Sequence, residues 1–269
     1  MKISRRSFLG GVTASAAAAL SLRPAGLDQP SPRSERFLDC VVLDLKQDCV
    51  LRESLQGYQT ALAGEHTLLE AIPDSRCRCR IVIAPGVGSM EPAIAKALSG
   101  LLAAGTLLLL ESGAGFVSPS EFATHQRMLH RYFRLAVLPP VDLWAGKFAG
   151  DALFTARRRL YAEQEPDSRQ FVPYVNYVWP CNTKVRDFSR VIPVSAERGD
   201  VIGRVGALPV ALKRHMAGGT LIFLGSLLGP ALRAGDPEAR SWLRLVASVS
   251  GGRLDLPMGA GQLKSVSQS

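Results

Sequence analysis

Two short apolar runs constrain this chain most: Ile81-Val82-Ile83-Ala84 and Leu107-Leu108-Leu109-Leu110, with one helical segment between them. A strand that is apolar at every position needs cover on both faces, and a crossover helix between two parallel strands supplies it. Residues 37–45 hold a third run of this kind around Val41-Val42-Leu43. Residues 51–62 have helical period, and 67–71 reads as a short strand. Pro85-Gly86-Val87-Gly88 ends the run at 80–84, and Ser89 is placed to cap a helix over 90–104, with Glu91 in its first turn. Gly105 closes that helix. The strand at 106–110 breaks at Glu111-Ser112-Gly113-Ala114-Gly115, and Ser118-Pro119 opens a helix reaching about residue 132.

The second half has a different rhythm. Residues 135–143, 171–179 and 190–196 read as strands separated by loops. Residues 201–212 read as a hairpin turning at Gly206-Ala207, and 218–226 as a late strand between glycine turns. A helix over 236–249 follows. The expected class is therefore α/β, a parallel-core sheet flanked by helices with a β-rich C-terminal half.

The N-terminus carries an address. Ser4-Arg5-Arg6-Ser7-Phe8-Leu9 has the twin-arginine form, and residues 8–22 are uncharged and rich in Gly and Ala. That stretch of 15 residues is short for a permanent span of a hydrocarbon core roughly 30 Å thick. The expectation is export in the folded state by the twin-arginine translocase to a periplasmic or other extracytoplasmic location. No clear cleavage site follows, which leaves a residual membrane tether open. The division expected is a signal over 1–25, a linker over 26–36, one α/β domain over 37–250 and a tail over 251–269.

The net charge of +9 overstates how basic the domain is. Lys2, Arg5, Arg6 and Arg23 precede the first acid, Asp28, and removing these four leaves +5. The basic runs at Arg157-Arg158-Arg159 and Lys213-Arg214-His215 are short and lack interleaved aromatics, so no nucleic-acid partner is expected. Five cysteines, Cys40, Cys49, Cys77, Cys79 and Cys181, are an odd number and no disulfide framework. Cys77 or Cys79 could meet Cys40 if their strands are adjacent. With four histidines, none at zinc-ligand spacing from a cysteine, no metal is expected. No fingerprint of a cofactor is present.

Three segments together resemble the glutamine-amidotransferase-like, flavodoxin-like superfamily, a fold also seen in trehalose-utilisation-type proteins and in the middle domain of some β-galactosidases. They are residues 81–88, the strand and elbow at 107–115, and Pro209-Val210-Ala211-Leu212 with the strand at 218–226. In catalytic members an elbow cysteine acts with a histidine near the end of the last strand. Here the cysteine position falls on Gly113, and Leu224-Gly225-Ser226-Leu227 stands where the histidine would be. The resemblance thus implies a domain without the amidotransferase reaction.

A non-catalytic domain would bind a small ligand or an envelope protein in a cleft built from Gly86, Gly88, Ser89, Glu111, Ser112 and Gly113. Lys184 and Arg186 would meet an anionic group there. The alternative is a hydrolase acting on a carbohydrate or amide through Ser112 or Glu111. That alternative requires a histidine or a second carboxylate within hydrogen-bond reach of either residue. Glu111 is otherwise expected to accept backbone N–H groups of its own elbow.

Overall fold

A computed structural model describes residues 37–45, 52–73, 77–113, 116, 118–142, 174–187, 190–195 and 199–249. The signal with Arg5 and Arg6, the linker and the tail lie outside the described residues. The elements in chain order are β1 (Phe37–Leu43), α1 (Arg52–Ala61), β2 (Thr67–Leu69), β3 (Arg78–Val87), α2 (Pro92–Ala103), β4 (Leu107–Ser112) and α3 (Pro119–Phe133). Then come β5 (Val141–Asp142), β6 (Tyr174–Tyr177), β7 (Thr183–Arg186), β8 (Arg190–Val191), β9 (Asp200–Val205), β10 (Leu208–Met216), β11 (Gly219–Leu224), α4 (Gly229–Arg233) and α5 (Pro237–Val249).

Among the described residues nine strands form one sheet in the order β2-β1-β3-β4-β11-β10-β9-β6-β7, and β5 pairs with β8 separately. From β2 to β11 every pairing is parallel, and from β11 to β7 every pairing is antiparallel. This corrects the flavodoxin-like class expected above. The structure is a mixed nine-stranded sheet, because the hairpin β9–β10 and the strands β6 and β7 join the edge of β11 and extend it. The turn at Gly206, with φ +54°, sets the hairpin. Leu208 pairs with Val205 directly across it.

The apolar runs divide by parity between two cores. Val42, Ile83, Leu109 and Ile222 face Leu55 and Tyr58 of α1 and Trp242, Leu243 and Val246 of α5. Val41, Val82, Leu108, Leu110 and Phe223 face Leu98, Leu101 and Leu102 of α2 and Phe122, Leu129 and Phe133 of α3. Strand alternation does this, since successive side chains leave opposite faces.

Several boundaries move. Ser89 does not cap α2: the helix starts at Pro92 with Glu91 as N-cap and no side-chain cap bond. Proline at the first turn fixes φ and needs no N–H partner, so it sets the start. Ser118 does cap α3, accepting from the Glu121 N–H. The strand expected at 135–143 is only β5 and an isolated bridge, Val137 with Val194.

Candidate functional site

β4 is central, hydrogen-bonded to β3 on one side and β11 on the other, and its last two residues carry the chemistry. Glu111 is fully buried. It accepts from the hydroxyl of Ser54 and, at 2.6 Å, from that of Tyr58, both on α1. The Gly229 N–H donates to it at 3.2 Å, and the Leu228 N–H also points to it. Burial pushes its pKa up to about 7, while those donors pull the other way. Glu111 thus joins the middle of the sheet to α1 and α4. It does not serve its own elbow, as the sequence suggested: its partners come from helices distant in the chain.

The next side chain leaves the opposite face. Ser112 Oγ lies 2.8 Å from Nε2 of His125 and 3.3 Å from the carbonyl oxygen of Val87. His125 sits on the inner stripe of α3 with Phe122, Leu129 and Phe133, at spacings of three and four residues. Ser112 is 1 % and His125 0 % exposed. Burial holds the imidazole near pKa 4, so it is neutral at pH 7. Phe116 packs against its ring at 5.2 Å between centroids. His125 Nδ1 has no hydrogen-bond partner among the described residues.

The other expected residues divide into two places. Gly86 and Gly88 are buried, with Gly86 at φ +57° in the irregular end of β3, and Ser89 is half-buried. The Gly113 N–H donates to Val87 O at 3.2 Å, so the end of β3 lies beside Ser112 and Gly113. Lys184 and Arg186 are elsewhere. They lie on β7, five strand positions from β4, a distance of roughly 24 Å at about 4.8 Å per strand. Glu111 is also separated from Ser112 by the sheet itself, so the single cleft drawn from the sequence is three separate places.

Cys40, Cys77, Cys79 and Cys181 are in no disulfide among the described residues, and Cys49 lies outside them. β1 and β3 are adjacent, yet Cys40 is unbridged, and burial raises its thiol to about pKa 12. Cys79 Sγ and Cys77 Sγ are 3.8 Å apart. Among the described residues no group of three or more His, Cys, Asp or Glu side chains gathers at metal-binding distance, and no helix is long and apolar enough to cross a membrane.

Ser54, Tyr58 and His125 were not singled out for these roles by sequence. A signal existed: each is a polar side chain on the apolar stripe of an amphipathic helix, Ser54 and Tyr58 one turn apart.

No protein-family model matches the chain. None of the curated proteins matches it. Solved structures do. A β-galactosidase from Bacillus circulans sp. alkalophilus is 11 % identical with a TM-score of 0.52, over 80 % of this chain and 31 % of that one. The β-galactosidase from Rahnella sp. R3 is 10 % identical with a TM-score of 0.52, over 82 % of this chain and 32 % of that one. A cytoplasmic protein from Salmonella typhimurium LT2 is 8 % identical with a TM-score of 0.53, over 80 % of this chain and 98 % of that one. The chain therefore spans about a third of the β-galactosidases it resembles.

At such identities the likeness is one of fold. It corrects the assignment to the glutamine-amidotransferase-like superfamily: of the three structures named, two are β-galactosidases, the third is described only as a cytoplasmic protein, and none is described as an amidotransferase, while the motifs behind that assignment describe strand ends and glycine turns, which many α/β sheets share. The comparisons lend no support to the twin-arginine and periplasmic reading.

Proposed function

We propose that this chain is a hydrolase acting on an acylated carbohydrate, cleaving an ester or amide with Ser112 as nucleophile and His125 as its base. One observation carries the reading: Ser112 Oγ and His125 Nε2 stand 2.8 Å apart at the carboxyl end of β4, where open α/β sheets place their ligands. The pair meets the requirement set for the hydrolase from sequence alone. A serine hydroxyl is a weak nucleophile until a neighbouring base takes its proton. An imidazole that carries its one proton on Nδ1 offers Nε2 as such a base, and burial keeps the ring neutral.

Acyl cleavage is favoured over glycosidic cleavage on chemical grounds. Glycoside hydrolysis ordinarily uses two carboxylates flanking one bond. Glu111 accepts from four donors and faces away from Ser112, so it is occupied in holding helices. The carbohydrate part of the reading draws on the fold shared with β-galactosidases.

A second reading, a non-catalytic ligand-binding domain, is favoured by the burial of both residues and by the bare Nδ1. If Nε2 carries the proton, it donates to Ser112, which in turn donates to Val87 O, and the pair is then a packing contact. Assaying an aryl acetate and an acetylated oligosaccharide with the wild-type chain and with Ser112→Ala and His125→Ala separates the two. Turnover that falls at least 100-fold in both variants supports the hydrolase. Turnover that survives both, or none in the wild type, leaves the binding domain.

A further inference from the structure

At the far edge of the sheet, β6 pairs with β7 and with β9, all antiparallel. Val175, Tyr177 and Val185 point into the core that α5 covers, so the residues alternating with them face outward. Register places Tyr174 opposite Arg186 and sets Asn176 between Lys184 on one side and Arg204 on the other. Tyr174, Lys184, Arg186 and Arg204 are exposed, and Asn176 is half-buried. The Arg186 guanidinium lies 5.9 Å from the centre of the Tyr174 ring, and Arg204 is steadied by donating to Ala207 O at 3.1 Å. On this face, the cross-strand neighbours of the three cations in β6 are an aromatic ring and an amide, neither of them acidic.

We propose that this face of β6, β7 and β9 binds an acidic polysaccharide. Lys184, Arg186 and Arg204 meet carboxylates along the polymer, Tyr174 offers a ring for one sugar, and Asn176 bonds its hydroxyls. Lys184 and Arg186 are two residues apart on one strand, a spacing of roughly 6–7 Å, so they reach successive groups on an extended chain. A repeating unit bearing both hydroxyls and a carboxylate matches an amide set between cations. Single-stranded nucleic acid is the poorer match, because it is held by successive aromatic platforms, and Tyr174 is the one ring in this five-residue set. A lipid surface calls for a broad apolar face beside the cations, and among the described residues the exposed large apolar side chains at this edge are only Tyr174 and Val178. The proposal does not depend on the Ser112–His125 chemistry.

The test is affinity electrophoresis and titration of the full chain with polygalacturonate, dextran, oligo(dT) and anionic phosphatidylglycerol vesicles. The expected result is retardation by polygalacturonate and not by dextran, weakened by salt. Lys184→Ala/Arg186→Ala and Tyr174→Ala should each raise the Kd at least tenfold, with the melting temperature of the Lys184→Ala/Arg186→Ala variant unchanged because those two side chains are exposed. Lys184→Arg should retain binding, and Ser112→Ala should bind like wild type, so a failed hydrolase reading leaves this result untouched. Absence of binding, binding indifferent to these substitutions, or tighter binding to oligo(dT) or vesicles would overturn the proposal.

Discussion

Glu111 and Ser112 are consecutive in the chain and are separated by the sheet: one bonds Tyr58 of α1, the other His125 of α3. The last two residues of the central strand therefore serve different ends. Glu111 ties two helices to the sheet, and Ser112 meets a neutral imidazole. The predictions below treat them as independent.

The Ser112–His125 pair predicts an unusual acid limb. His125 must be neutral to accept the serine proton, and its pKa lies near 4 where the ordinary value is 6.5. The kcat/KM for ester cleavage should hold steady down to about pH 5 and fall only near pH 4. A limb at pH 6.5 would place the base elsewhere.

His125 also links stability to pH. Its folded pKa is lowered, so between about 4 and 6.5 the unfolded chain binds more protons. Stability contributed by the neutral ring is therefore lost as pH falls through that window, by roughly 3 kcal/mol at most. Urea denaturation at pH 6.5 and pH 4.5 should show a smaller loss in His125→Gln than in wild type.

Glu111 predicts the opposite slope. Its folded pKa is raised from 4.5 to about 7, so the folded protein binds more protons between those values. Stability should fall as pH rises from about 4.5 to 7, again by roughly 3 kcal/mol. In Glu111→Gln the stability should be lower at pH 5 and this part of the slope should vanish. A slope unchanged in the variant would show that the carboxyl titrates near its ordinary pKa.

Gly57 of α1 and Gly229 of α4 predict a packing limit. A Cβ on Gly57 would stand 1.8 Å from the carbonyl oxygen of Gly229, and one on Gly229 would stand 2.3 Å from Ser54 Cα. Both contacts are with backbone, so relief requires the helices to part and Glu111 to lose donors. Gly57→Ala should cost about 3 kcal/mol or more in chemical denaturation. Gly64→Ala, with open space but φ +90°, should cost about 1 kcal/mol.

Trp242 predicts a large core effect. It is fully buried, its ring centre is 4.5 Å from that of Tyr177, and its indole N–H donates to Trp179 O at 2.8 Å. Trp242→Ala should destabilise the protein by about 3–5 kcal/mol, and Trp242→Phe should recover most of that loss in thermal melts.

Local pattern alone determined the parallel strands, their order of appearance, the Ser118 cap and the β9–β10 hairpin. Apolar runs and turn residues act within a few positions, and Leu107-Leu108-Leu109-Leu110 has no stable state other than burial on both faces. The strand β7 that carries Lys184 and Arg186 is not legible in the sequence, since its inward positions, Thr183 and Val185, include only one apolar residue. What the sequence could not contain was which edge the later strands would join, and therefore the distance of Lys184 from Glu111. Nor could it say which face each residue of the elbow would take. Ser112 finds His125 across 13 positions, and Glu111 finds Tyr58 across 53 and Gly229 across 118. Those partners are set by strand parity and by the helices that close each face. Both are properties of the assembled sheet, because a one-residue change of register would exchange the two side chains between the cores.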